Sequence, residues 1–225
     1  MNTNEVLQQL DQLIRTHSVL QHPFYQAWSA GQLTKEDLAV YSWVYYPHVE
    51  AFPGYIELAL KKTKDEKVRH ILEENLQEEL GDPTPHPEYW LYFAEGLGMD
   101  RQEVLDAIPV PEVEKGINKF RELCSDNPVS ALAALYAYES QQPEICTEKI
   151  QGLREFYQVH SPQTLSYFTV HETADIEHRE EAREALAHCL DQGASPEVIL
   201  NAAQEALDAH WLLLDGVSRQ AGLTC

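Results

Sequence analysis

Three things are scarce in this chain, and each scarcity closes off a class of function. Cysteine is the first: the four that occur, Cys124, Cys146, Cys189 and Cys225, stand far apart with no C-x-x-C pair. That spacing builds neither a disulfide framework nor a thiolate zinc site, and it suits a reducing cytosol. Long apolar runs are the second. No window approaches the roughly 20 apolar residues of a membrane span, and the opening Met-Asn-Thr-Asn-Glu offers no basic n-region. The expectation is a cytoplasmic protein without a membrane partner. Basic residues are the third, 16 Lys and Arg against 37 Asp and Glu, for a formal net charge of −21. A polyanion of that size repels nucleic acid and anionic lipid, so neither is expected to bind.

What is abundant is carboxylate, histidine and helical punctuation. The 225 residues suffice for one domain with a large core, and no linker, repeat or low-complexity tract divides them, so 1–225 is read as a single domain. Apolar residues at helical spacing over 4–17 follow Thr3 and Asn4, which can cap. A short helix runs from Phe24 to near Gly31. Thr34 and Asp37 open a long segment to about Lys62, which Pro47 and Pro53-Gly54 kink or divide. Further helices are predicted over 65–80, 88–96 and 101–107, and Pro109-Val-Pro111 separates the last of these from one ending near Cys124. Between the first two of these, Gly81-Asp82-Pro83-Thr84-Pro85-His86-Pro87 forms a stiff turn. Asn127-Pro128, Ser161-Pro162 and Ser195-Pro196 each pair a capping residue with proline at the first helical position. They launch a buried helix bent partway by Pro143, a helix ending at Gly193, and a last one to about Arg219. No strand pattern stands out, and the fold class is an all-α bundle.

One octet departs from generic helical sequence: His171-Glu-Thr-Ala-Asp175-Ile-Glu-His178. At about 100° per residue, His171, Asp175 and His178 fall within roughly 60° of one another on one helix face. Two imidazoles and a carboxylate on a shared stripe suit iron, manganese or zinc. The octet also reads as the solvated face of an acidic helix, since Glu172, Glu177, Glu180 and Glu181 crowd it. Further donors can come from elsewhere. Glu139 follows the apolar Leu132, Leu135 and Tyr136 in a helix poor in charge, where an unpaired carboxylate is costly. Glu144, beyond Pro143, reads as solvated. Glu79 and His86 lie seven apart across the proline turn, so they converge only if that turn folds back. Together Glu79, His86, Glu139, His171, Asp175 and His178 make three carboxylates and three imidazoles, a set suited to two metals with open positions for oxygen.

At these residues the chain resembles the family of the Chlamydia protein associating with death domains and its bacterial relatives, which have a haem-oxygenase-like dimetal oxygenase fold. The carriers are His22-Pro-Phe-Tyr25, Tyr41-x-Trp-x-Tyr-Tyr-Pro-His48-Val-Glu-x-Phe-Pro53, Glu78-Glu79-x6-His86, Tyr136-x-Tyr138-Glu139-Ser-Gln and His171-x3-Asp175-x2-His178. They span nearly the whole chain. The resemblance implies a helical bundle of the TenA and PqqC type and a self-sacrificing, oxygen-dependent synthesis of 4-aminobenzoate, a folate precursor. It implies that Tyr25 donates the aromatic ring, that Lys149 is the amine source, and that the six ligands hold two ions, iron alone or iron with manganese. Dioxygen and an external reductant, its identity left open, complete the cofactor set. Tyr41, Tyr138 and Tyr167 are then pocket or relay residues, although an aromatic stripe of this kind also serves as plain core packing.

Rival readings share the fold or discard catalysis. A thiaminase-like hydrolase calls for a nucleophilic cysteine beside a carboxylate, and Cys146, in the helix assigned to Glu139, is the candidate. A cofactor-free oxidase of pyrroloquinoline quinone synthesis calls for a cationic pocket, against the balance of charge. A non-catalytic interaction protein remains as a third. A homodimer is expected, because bundles rich in exposed aromatic positions often bury some between chains.

Overall fold

Side-chain caps start most of the helices. In the computed structural model, which describes residues 1–81 and 84–223, the chain is helical from end to end, with no strand among the described residues. Asp82 and Pro83 of the predicted turn, and Cys225, lie outside them. The helices are α1 (Thr3–Thr16), α2 (Pro23–Ser29), α3 (Lys35–Val44), α4 (Tyr46–Lys62), α5 (Glu66–Leu80), α6 (His86–Gly96), α7 (Arg101–Leu105), α8 (Pro111–Asp126), α9 (Pro128–Glu139), α10 (Gln142–Glu155), α11 (Pro162–Asp191) and α12 (Pro196–Gln220). Asn2, one residue ahead of the predicted cap, forms a capping box with Glu5. Thr34 does the same with Asp37. Asp65, Asn127 and Ser161 accept backbone N–H groups at the starts of α5, α9 and α11.

Proline divides the chain at two points, as expected at Pro47 and differently from the expectation at Pro143. The segment 34–62 splits at Tyr45, with Pro47 in the first turn of α4, while Pro53 is carried inside that helix. Pro143 does not bend one long helix but sits in the first turn of a second. Proline at such a position lacks an N–H that would find no helical partner anyway, so α9 ends at Glu139 and α10 begins at Gln142. Cys146 therefore belongs to α10, not to the helix of Glu139.

The core forms around α9, buried at every position from Ser130 to Glu139. It packs against α8, α11 and α12, while α11 also meets α5, α6 and α10. On α11 the buried stripe reads Thr164, Leu165, Tyr167, Phe168, then His171, Asp175 and His178, then Ala182, Ala185 and Leu186. Three polar side chains thus interrupt an apolar seam in its middle.

Helix α2 is fixed at both faces. His22 Nδ1 accepts the Phe24 N–H (3.1 Å), and the other ring nitrogen meets Asp215 of α12 (3.1 Å). On the far side, fully buried Trp28 lies on Gly152 of α10, and its carbonyl accepts the Tyr157 hydroxyl (3.0 Å). A Cβ at Gly152 would stand 2.6 Å from Trp28 Nε1. Gly152→Ala is therefore expected to destabilise the protein by about 1–3 kcal/mol, although alanine favours a helix interior by about 1 kcal/mol. Urea unfolding measures this; an unchanged or raised midpoint would show that α2 and α10 have room to separate.

Candidate metal centre and tyrosine pocket

Helix α6 starts at His86 rather than at Glu88, and the His86 imidazole lies against the end of α5. Glu79 Oε1 stands 3.0 Å from His86 Nδ1 and 3.8 Å from His171 Nε2. About one and two helical turns further along α11, Asp175 and His178 meet Glu139 of α9. The six predicted ligands thus assemble as two triads, Glu79–His86–His171 and Glu139–Asp175–His178, each with donor atoms within 4.8 Å of one another. None of the six is more than 6 % exposed.

The donors aim at shared space more than at each other. His86 Nδ1, Asp175 Oδ2 and His178 Nδ1 are buried without a hydrogen-bond partner, although carboxylate oxygens lie 3.0 Å from His86 Nδ1 and 3.4 Å from His178 Nδ1. Buried polar atoms this close yet unbonded to one another fit a site that a shared cation would complete. Outer contacts orient the rings as metal ligands require. His171 Nδ1 bonds the Tyr167 carbonyl (2.7 Å), which turns Nε2 to Glu79, and His178 Nε2 rests on Glu78 (3.0 Å). Asn75 donates to Glu139 Oε1 (2.7 Å). Cavities of about 10 Å³ remain beside the ligands, room for an ion or a water. Nitrogen and oxygen donors without thiolate fit first-row metals such as iron and manganese.

Without a metal these groups can only share protons. Burial raises the Glu139 carboxyl, against the pull of His178. Burial would lower His178, but Asp175, Glu139 and Glu78 outweigh it and raise it. His171 is likewise raised, Asp175 and Glu79 overcoming burial. Glu79 is the exception: burial favours its acid form, yet His86 and His171 bring it down to about 2.

A second cluster lies in the core. Lys149, 3 % exposed, donates to the Tyr41 hydroxyl (2.6 Å), which shares a 3.4 Å hydrogen bond with Tyr25. The Lys149 Nζ also lies 5.2 Å from the centre of the Tyr25 ring and 5.0 Å from that of Phe168. No carboxylate pairs with it among the described residues, and burial brings its ammonium down to about 8. Burial raises the Tyr25 and Tyr41 phenols well above their ordinary value, so both stay protonated.

Aromatic rings join the two clusters. Trp90 lies 5.3 Å from Tyr41 and 4.8 Å from Tyr167, whose ring is 4.2 Å from that of His171. On another side Tyr45 packs on Tyr41 (5.4 Å) and bonds both Tyr138 (3.4 Å) and His210 (3.1 Å), and Tyr138 adjoins Glu139. Tyr45, Trp90, His210, Asn75 and Glu78 were not singled out as site residues from sequence. Two carried a signal: Tyr45 stands four residues after Tyr41, and Asn75 four before Glu79, each on a common helix face. Glu144 is exposed and pairs with Arg179, as expected. Cys146 is buried, and burial raises its thiol, the reverse of what a nucleophile needs.

A family model described as an iron-containing redox enzyme matches residues 41–211. The whole chain aligns at 36 % identity with 96 % of a Nitrosomonas europaea protein named 4-aminobenzoate synthase. Over 91 % of its length it is 39 % identical to a Chlamydia pneumoniae protein of the same name, covering 91 % of that protein. A solved TenA homologue from Pseudomonas syringae superposes with a TM-score of 0.82 at 20 % identity, over 94 % of this chain and 92 % of that one, a likeness of fold alone. Among the described residues no helix is long and apolar enough to cross a membrane.

Metal uptake has a pH signature here. Glu139, His171 and His178 have raised proton affinities and must give up those protons to ligate. Anaerobic addition of ferrous iron at pH 7 is expected to release protons, and metal affinity to rise with pH, as followed with an indicator dye in weak buffer. Asp175→Ala should lower the metal content while leaving helicity by circular dichroism near wild type. Metal binding with no proton release, or unfolding of the variant, would contradict this picture.

Proposed function

The chain belongs to the haem-oxygenase-like family of iron-containing redox enzymes, and from that premise we propose that it makes 4-aminobenzoate by an oxygen-dependent route that consumes its own Tyr25. Lys149 supplies the amine. The observation that carries this reading is the buried amine of Lys149, held without a counter-ion against the rings of Tyr25 and Tyr41. A lysine kept from water in this way has no role in packing that an apolar residue would not serve better.

Glu79, His86 and His171 would hold one ion, and Glu139, Asp175 and His178 another, iron in both or iron with manganese. When bound, the pair supplies the oxidising power of dioxygen, with electrons from an external reductant. The remaining work falls to the chain. Burial excludes water from the Tyr25 ring and keeps its phenol protonated until it is oxidised. With Lys149 as ammonium, the hydrogen bonds run from Nζ to Tyr41 and from Tyr41 to Tyr25. Once Lys149 is neutral, a state that gains weight as pH rises through about 8, the direction reverses. When the ring is oxidised, the phenolic proton of Tyr25 leaves through the Tyr41 hydroxyl to Nζ. The rings of Trp90, Tyr167, Tyr45 and Tyr138 fill the space between pocket and ligands, which keeps oxidising equivalents away from solvent.

Tyr25→Phe removes one long hydrogen bond, so it is expected to cost no more than about 1 kcal/mol of stability. It should bind metal as the wild type does and form no aminobenzoate, by liquid chromatography of the metal-loaded, aerated protein. Wild-type product should plateau at or below about one per chain, since a consumed residue cannot turn over. Wild-type yield from the variant, or sustained turnover, would exclude Tyr25 as the donor.

A further inference from the structure

One of the two small cavities, of about 10 Å³, is lined from both triads at once. Glu79 and His171 belong to the first, Glu139 and Asp175 to the second. A chamber of that size holds one water or a molecule of similar bulk. Carboxylate and imidazole are the groups that cations claim, and Val49 and Phe52 supply only apolar wall. What remains to contact such a molecule is Tyr138, Tyr167 and Gln142. Tyr138 is engaged elsewhere, through the bond of its hydroxyl with Tyr45 (3.4 Å).

Gln142 and Tyr167 are not engaged. Gln142, the first residue of α10, is 4 % exposed, and Tyr167 of α11 is 5 % exposed. Among the described residues neither the carboxamide nor the hydroxyl makes a hydrogen bond, although both side chains line the chamber. Polar groups are rarely left unpaired in a protein interior, because burial takes away the water that would otherwise bond them. The preceding residue shows how a structural glutamine behaves in this fold. Gln141 is as deeply buried, yet its Oε1 accepts the Val19 N–H (3.1 Å) and its Nε2 donates to the Ala137 carbonyl (2.9 Å). Gln142 leaves both ends of the same group uncommitted. Its charge also suits the place. Glu79, Glu139 and Asp175 already bring three carboxylates to the wall, and a carboxamide adds N–H donors without a fourth negative charge.

We propose that Gln142, together with Tyr167, binds and orients one small hydrogen-bond acceptor, a molecule of one or two non-hydrogen atoms, in the chamber between the triads. The site rests on the metal-binding part of the reading above and not on the fate of Tyr25. The Gln142 amide is the principal donor and the Tyr167 hydroxyl the second. The Tyr167 ring stands between those of His171 (4.2 Å) and Trp90 (4.8 Å), so the molecule is held at the wall that leads to the tyrosine pocket.

The probe is nitric oxide, added without oxygen to protein loaded with ferrous iron, so that Tyr25 is preserved. Its N–O stretch, read by infrared difference spectroscopy, reports a hydrogen bond to the bound molecule. The wild-type stretch is expected to move in heavy water and to rise in Gln142→Met, which keeps the side-chain length and removes the donor. The dissociation constant should rise about three- to tenfold in that variant, the worth of one hydrogen bond. Tyr167→Phe should move the stretch in the same direction. Gln142→Glu, nearly isosteric, stands in if the methionine variant does not fold, and should weaken nitric oxide at least as much. Iron content and helicity should match wild type in each. A stretch and affinity unchanged by both Gln142 substitutions would overturn the site, as would a ferrous wild type that takes up no nitric oxide. Gln142 variants that lose iron instead would overturn it too, because Gln142 would then support the ligands and not the small molecule. Aminobenzoate formed by iron-loaded, aerated wild type in any of those cases leaves the proposed function standing. The expected shifts in a protein that makes no aminobenzoate keep the chamber and remove the function.

Discussion

A carboxylate or an imidazolium held away from water must find opposite charge close by, and the interior of this protein is arranged around that requirement. Three carboxylates and three histidines occupy positions that an ordinary bundle would fill with leucine and alanine, in the middle of the seam where α11 meets α5, α6 and α9. Desolvating such groups costs several kcal/mol each unless hydrogen bonds or a cation compensate. Protons offer partial compensation, which is why burial and neighbours raise Glu139 and His178 together. Cations held by the two triads would offer it more fully, which accords with the unpartnered nitrogen and oxygen atoms there. The outer groups, Asn75, Glu78 and the Tyr167 carbonyl, hold the donors in place and so make the arrangement rigid before any ion arrives.

Lys149 poses the opposite problem, a cation in an aromatic box. Ring faces and one phenol oxygen stabilise an ammonium less than water does, so its proton is held weakly. The same burial strengthens the hold of Tyr25 and Tyr41 on theirs. The two shifts push acid and base further apart in strength than free tyrosine and lysine, so the phenols keep their protons beside a weakened ammonium, with hydroxyl and amine already in a hydrogen-bonded row. Position does the rest: α2, which bears Tyr25, is pinned by His22 to α12 and by Trp28 to α10.

How much of this the sequence disclosed depended on whether the partners share a helix. His171, Asp175 and His178 were legible because helical periodicity alone fixes their common face. Glu139 was legible because it stands isolated at the end of a wholly apolar run. Glu79 and His86 were not derivable as a pair, since the backbone path between Gly81 and Pro85 decides whether they meet, and periodicity is silent there. Proline was ambiguous for a related reason. The same residue that bends a helix also starts one well, and at Pro143 the second role prevailed, which moved Cys146 away from Glu139 and into the helix of Lys149. The burial of Lys149 was not legible because α2, α3, α6 and α11 make it, rather than the neighbours of Lys149 in its own helix. Tyr45 and His210 come from different ends of the chain and could be joined only in three dimensions.

The account stands or falls on whether the chain spends its own side chain. Protein grown with ring-labelled tyrosine and nitrogen-labelled lysine, loaded with metal, reduced and exposed to oxygen, permits mass analysis of the small product and the spent polypeptide together. The account predicts aminobenzoate carrying both labels and a change of mass confined to the peptides that contain Tyr25 and Lys149. Unlabelled product, or an intact Tyr25 peptide beside labelled product, would contradict it.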